Sequence, residues 1–97
     1  MKPKKTKEIQ RVLCKKGFEQ DPKSDHHNFY YLIVDGKKKD VRTYFSHSKN
    51  EYDAKLLSKM KNQLFFETSD QFEQFLECTF SGDDYVQMLV KNHKIRL

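Results

Sequence analysis

The sequence predicts an α+β fold for residues 1–97, a single domain built as an α-β-β-β-α two-layer sandwich with two extra C-terminal helices. Apolar residues change from helical to alternating spacing near residue 18 and return to helical spacing near residue 50. Asp35-Gly36 separates two β-rich runs, as expected of a hairpin turn. We therefore divide the chain into a core (6–66) and a helical extension (67–97).

The first helix is expected to begin at Thr6, whose side chain can cap its free amides. Ile9, Val12 and Leu13 follow at helical spacing and form one apolar stripe. Gly17 then ends the helix, because glycine readily adopts the left-handed conformation found after helices.

Three strands should come next. Residues 18–22 could form a short edge strand that Pro22 ends, since proline cannot donate to a sheet. The run His26–Val34 is rich in aromatic and β-branched residues, and Lys37–Phe45 alternates apolar and polar positions. The Asp35-Gly36 turn makes these two strands antiparallel neighbours.

Helical patterns occupy the rest of the chain. Ser48 and Glu51 have the spacing of a capping box, so a helix carrying Leu56, Leu57, Met60 and Leu64 should follow. Thr68 with Gln71 repeats that spacing, and Ser81 precedes a fourth apolar pattern. The apolar residues of these two helices should pack on the second helix or on another copy of the chain: Phe72, Phe75, Leu76, Tyr85, Met88 and Leu89.

Charge is unevenly distributed along the chain. Residues 1–62 hold sixteen Lys and Arg against eight Asp and Glu, a net +8, whereas residues 63–97 carry a net −3. A basic core favours a phosphate-bearing partner, although a solvated surface explains the same charge. The candidates for contacts with phosphate are Lys4, Lys5, Lys37, Lys38, Lys39 and Arg42.

Cysteine usage and hydropathy indicate a cytoplasmic protein. Cys14 and Cys78 match no zinc or redox motif. Residues 1–5 are basic but no apolar segment follows them, so they do not form a signal peptide. No apolar run approaches the roughly 20 residues that span a bilayer, so no membrane association is expected.

Histidines offer the best candidates for chemistry. His26 and His27 point to opposite faces of one predicted strand, and His27 shares a face with Phe29 and Tyr31. With a tight hairpin, position 27 lies across from residues 44–46, which brings His47 near it. Two imidazoles beside a phosphate could act as base and acid, or as base and charge stabiliser.

Plainer interpretations remain open for the same residues. Strand histidines are often partly buried hydrogen-bonding groups, and Lys37–Lys39 could be a solvated turn. Tyr30, Tyr31 and Tyr44 could pack in the sheet or stack on bases. A metal site of histidines is disfavoured, because adjacent strand residues diverge and no Cys pair completes a ligand set; no metal or cofactor is expected.

The order α-β-β-β-α is that of a double-stranded-RNA-binding domain. Within residues 6–66 the chain also resembles the HicA family of toxins. The resemblance is carried by Leu13…Gly17-Phe18, Ser24-Asp25-His26-His27-Asn28-Phe29, Asp35-Gly36, Ser46-His47 and Leu56…Met60…Gln63-Leu64. This chain has Lys23-Ser24-Asp25 where family members have a glycine before the histidines, and it adds the extension 67–97.

The resemblance implies a double-stranded-RNA-binding-domain-like fold and a toxin endoribonuclease that cleaves mRNA without metal. By this resemblance His27 takes the catalytic position, and a HicB-like antitoxin would cover the site. The hairpin register, not the resemblance, makes His47 a candidate helper. The alternative is a non-catalytic RNA-binding or protein-interaction module on the same scaffold. The extension could serve as a regulator or in a homodimer.

Overall fold

The computed structural model describes residues 2–22, 27–46, 49–77 and 79–96, and within these ranges it is a mixed α+β structure. The helices are α1 (Thr6–Lys15), α2 (Ala54–Gln63), α3 (Ser69–Leu76) and α4 (Gly82–Lys91). The strands are β1 (Lys4–Lys5), β2 (Phe18–Gln20), β3 (His27–Val34), β4 (Lys37–Ser46) and β5 (Glu51–Tyr52).

The main sheet has three antiparallel strands in the order β2-β3-β4. Asp35 and Gly36 both have positive φ, 52° and 76°, as a tight two-residue hairpin turn requires, so this predicted turn is confirmed. β2 ends at Gln20 rather than at residue 22, although the amide of Asp21 still donates to the Phe29 carbonyl at 2.8 Å. β4 continues one residue beyond the prediction, to Ser46.

The start of α1 differs from the prediction at Thr6. Lys5 holds the N-cap position without a side-chain hydrogen bond, and Thr6 is the first helical residue. The Thr6 hydroxyl lies 3.3 Å from the Lys49 carbonyl and 3.2 Å from that of Asn50, so it fastens the helix to the segment before β5. The predicted stripe is present, with Ile9 and Leu13 buried.

The predicted capping box of α2 is wrong. Glu51 lies in β5, which pairs with β1 in a second, two-stranded sheet. The helix begins two residues after this sheet, where the Asp53 side chain accepts from the Leu56 amide at 2.9 Å. Ser48 lies outside the described residues.

The C-terminal extension packs against the core. The predicted caps are present, since Thr68 accepts from the Gln71 amide and Ser81 accepts from that of Asp84. The apolar residues of both helices are buried and belong to one cluster with those of the sheet, α1 and α2. The buried Tyr85 hydroxyl donates to the Leu64 carbonyl at 2.8 Å, which ties α4 to the end of α2.

The two faces of the main sheet have different environments. The inner face carries Tyr30, Leu32, Val41, Thr43 and Phe45, all 5% exposed or less, and these apolar residues belong to the same core as α1 and α2. The outer face carries half-buried aromatic residues and charged residues. No helix in the described part of the chain has the length and apolar character needed to cross a membrane.

Candidate nucleic-acid interface and catalytic position

The backbone of His27 lies at the open end of the central strand. It is the first residue of β3 and pairs with Ser46, the last residue of β4, which confirms the predicted register. On the other side, the pairing of β2 with β3 stops at Tyr30, so β2 does not extend alongside position 27. Strand alternation assigns position 27 to the row of Phe29 and Tyr31 on the outer face.

The other two predicted histidines, His26 and His47, lie outside the described residues. Ser24 and Asp25 of the motif and Cys78 also lie outside them. Their proximity to position 27 therefore remains a prediction. Within the described ranges, no group of three or more His, Cys, Asp and Glu residues is arranged to hold a metal ion.

The outer face next to this position carries a row of three aromatic rings. The Phe29 ring is central, with its centroid 6.4 Å from that of Tyr31 and 5.5 Å from that of Tyr44. These rings come from adjacent strands, because Phe29 pairs directly with Tyr44 in the β3–β4 register. We call Phe29, Tyr31 and Tyr44 the aromatic row.

Each ring of the aromatic row has a cationic group over it. Lys38 Nζ lies 3.7 Å from the Tyr31 centroid and the Arg42 guanidinium 5.7 Å from that of Phe29. Lys59 Nζ lies 5.8 Å from the Tyr44 centroid and 3.3 Å from its hydroxyl. Such contacts are worth about 0.5–1 kcal/mol at exposed sites, so a polyanion can draw these side chains away from the rings.

A groove of about 500 Å³ runs beside the aromatic row, between β4 and the segment after α2. It is lined by Phe29, Arg42 and Tyr44 of the sheet and by Gln63 and Phe65 at and after the end of α2. Phe65 is 36% exposed and has a φ of 63°, so the chain reverses there with its ring at the surface. Lys94 Nζ lies 5.2 Å from the centroid of that ring.

Two acidic side chains lie on the β2 side of this face, and a third lies in the groove. Glu19 pairs with Tyr31 from the edge strand β2, and Asp21 lies 3.9 Å from Lys38 Nζ. Asp40 is the acidic residue of the groove. The side toward α2 is therefore the more basic one, with Arg42, Lys59 and Lys94.

The six predicted phosphate-binding residues lie in different parts of the structure. Lys38 and Arg42 lie on the outer face, whereas Lys39 belongs to the inner row and donates to the Arg96 carbonyl at 2.6 Å. Lys37 is exposed at the hairpin end, where it pairs with Val34. The remaining two predicted residues lie in β1, where they pair with β5: Lys4 and Lys5.

The sequence left open whether Tyr30, Tyr31 and Tyr44 pack in the sheet or stack on bases, and the structure places them on different faces. Tyr30 is buried on the inner face, and desolvation, with a smaller contribution from Cys14, raises its pKa. Tyr31 and Tyr44 are half-buried on the outer face. Sequence reasoning missed Lys59 and Phe65, because only the packing of α2 beside β4 brings them to this surface.

Comparison with protein-family models, curated proteins and solved structures gives no match to this chain.

Proposed function

We propose that this chain is a HicA-like, metal-independent endoribonuclease that cleaves mRNA, with His27 as general base on a double-stranded-RNA-binding-domain-like scaffold. The observation that carries the proposal is the position of His27. It begins the central strand, pairs with Ser46 and lies in the same row as an aromatic and basic surface. Apart from the two-residue strands β1 and β5, which pair in a separate sheet, the order α1-β2-β3-β4-α2 is also that of the proposed scaffold.

The chemistry needs few protein groups, because the nucleophile belongs to the RNA. His27 accepts the proton of a ribose 2′-hydroxyl while the 2′-oxygen attacks the adjacent phosphorus. The bond from phosphorus to the 5′-oxygen breaks, and that oxygen takes a proton from an acid, for which His47 is the candidate. The products are a 2′,3′-cyclic phosphate and a 5′-hydroxyl, and Arg42 or a lysine stabilises the charge that develops on the phosphate.

An antitoxin of the HicB type fits this proposal as the protein partner. It would neutralise the enzyme by covering the open end of β3. Since position 27 and the aromatic row are neighbours, one bound protein could block both.

A second candidate function is RNA binding without cleavage. The observation that favours it is the set of cations over the aromatic row, which do not depend on His27. Asp25 precedes the two histidines and brings a negative charge to the motif.

Cleavage of a defined RNA in EDTA tests the first function against the second. We expect the wild-type chain to cleave and His27→Ala to lose about 10²–10⁴-fold in rate, the usual contribution of a general base. His26→Ala is the matched control and should retain most activity, since alternation places residue 26 in the opposite row. Circular dichroism and melting temperature must show that all three proteins are folded. Equal cleavage by wild type and His27→Ala would overturn the catalytic proposal.

A further inference from the structure

We propose that the outer face of the sheet binds single-stranded RNA by stacking unpaired bases on Phe29, Tyr31 and Tyr44. The inference deepens the proposed function, on which it rests for the class of ligand, by naming the surface and the way the substrate is held. Unpaired bases stack well on exposed aromatic rings, and every base has a π face, so such binding tolerates many sequences.

The spacing of the rings fits this use. Phe29 lies between the other two rings, with Tyr31 6.4 Å away along β3 and Tyr44 5.5 Å away across the sheet on β4, and none of the three belongs to the buried core. A core needs its aromatic residues on the inner face, where Tyr30 and Phe45 lie. The outer rings are half-buried and belong to no part of that core, so part of each ring is accessible to a ligand.

The charges identify a polyanion as the occupant. Arg42 and Lys59 lie over rings of the row, and Lys94 lies over Phe65 at the rim of the groove. They come from β4, α2 and the C-terminal segment. Arg42 lines the groove itself, whereas Lys59 and Lys94 each contact a ring that lines it. A protein partner would also use aromatic residues and arginine, but lysine is depleted in protein–protein interfaces.

The positions of the acidic residues indicate the path of the bound RNA across the sheet. Glu19 and Asp21 lie on the β2 side, so the phosphates are expected on the side toward α2. Asp40 lies in the groove, where its carboxylate can accept hydrogen bonds from exocyclic amino groups of bases. The RNA would thus lie along β3 and β4, with its bases stacked on the rings of the aromatic row.

This path leads to the proposed catalytic position. Residues 27 and 29 lie two positions apart on one strand, about 7 Å along it. A nucleotide whose base stacks on Phe29 therefore brings a neighbouring phosphate within reach of position 27. A double helix keeps its bases stacked internally, so it cannot use the aromatic row in this way.

Binding is best measured apart from cleavage. The wild-type full-length chain is titrated with a 2′-O-methyl RNA strand of about eight nucleotides, a length within the range bound by single-strand-binding domains. This strand lacks the attacking hydroxyl, so it stays intact, and 2-aminopurine placed in it reports stacking by loss of fluorescence. The same strand in a duplex is the control ligand.

We expect the single strand to bind at least tenfold more tightly than the duplex, with quenching of 2-aminopurine. Phe29→Leu and Tyr31→Leu should each weaken binding about tenfold or more and reduce the quenching. Phe80→Leu is the matched control, because it removes a half-buried ring of the extension. It should leave binding unchanged, and melting temperatures check that every variant is folded.

Equal affinity for strand and duplex, or binding unaffected by both ring substitutions, would overturn the inference. Failure of the strand to bind would also overturn it and favour a protein interface. Cleavage is scored separately. A chain that stacks bases but does not cleave keeps this inference and loses the proposed enzyme, whereas cleavage without stacking overturns this inference alone.

Discussion

The two faces of the β2-β3-β4 sheet use similar residues for different purposes. Phe45 and Phe29 both lie in strands of the sheet, yet Phe45 is 1% exposed in the core and Phe29 is half-buried beside Tyr31 and Tyr44. On the inner face an aromatic ring excludes water against helices. On the outer face it lies under cations. Aromatic composition alone therefore does not distinguish packing from recognition, and the face on which each ring lies must be known.

The largest expected effect on stability tests this difference directly. Phe45→Ala should lower the free energy of unfolding by about 3–5 kcal/mol, because it leaves a cavity among core side chains. Phe29→Ala on the outer face should cost about 1 kcal/mol or less, because a half-buried ring leaves no closed cavity and loses only its contacts with neighbouring rings. Urea denaturation of both variants gives the two values. Similar losses would show that the outer ring is as important for packing as the inner one.

The second-largest expected loss of stability concerns Tyr85, which lies where the core of the inner face continues into the extension. Burial raises the pKa of the Tyr85 phenol far above its usual range, and its hydroxyl donates to the Leu64 carbonyl. Tyr85→Phe leaves that buried carbonyl without its donor, so the free energy of unfolding at pH 7 should fall by about 1–3 kcal/mol.

Alkaline pH provides a second readout of the same residue. Because the folded pKa exceeds the unfolded value of about 10, the unfolded chain releases the Tyr85 proton first, and stability should fall as pH rises above about 10. Tyr85→Phe removes this contribution, so the gap between the two proteins should narrow. A constant gap from pH 7 to pH 11 in denaturation curves would contradict it.

Local signals in the sequence predict much of the fold. The Asp35-Gly36 turn fixes the hairpin, and alternation then places His27 opposite Ser46. The hydroxyls of Thr68 and Ser81 cap the helices expected of them, since a cap requires only residues three positions apart. Alternation also separates Lys38 from Lys39, a distinction lost when Lys37–Lys39 is treated as one basic cluster.

The remaining features depend on contacts distant in the chain. The Thr6 hydroxyl binds carbonyls more than forty residues away instead of capping α1, and Glu51 lies in a strand because β1 is available to pair with it. Lys59 reaches the aromatic row only because α2 lies beside β4. No spacing rule within one segment reveals such a site, so its basic half could not be predicted.

A smaller effect compares two hydroxyl groups on adjacent residues of β4. The buried Thr43 hydroxyl donates to Gln63 Oε1 at 2.7 Å, whereas the Tyr44 hydroxyl contacts Lys59 on the outer face. Thr43→Val should cost about 1 kcal/mol and Tyr44→Phe less than about 0.5 kcal/mol. Thermal denaturation of the pair measures both, and an equal or larger loss in Tyr44→Phe would refute the assignment of the faces. Tyr44→Phe should also keep its stacking with RNA.

The smallest expected effect is the electrostatic contribution of one lysine on the outer face to RNA binding. Lys59 and Lys55, one turn earlier on α2, are both exposed, but it is Lys59 that contacts Tyr44, so Lys55 serves as the matched control. Lys59→Met should weaken binding of the 2′-O-methyl strand a few-fold and reduce the slope of log affinity against log salt by about 0.7, the value for one phosphate contact to a single strand. Lys55→Met should change neither quantity, and both variants should unfold within about 0.5 kcal/mol of wild type. Because the two substitutions remove the same charge from the same helix, identical slopes would mean that the net charge of the protein, not the groove beside the aromatic row, attracts the RNA.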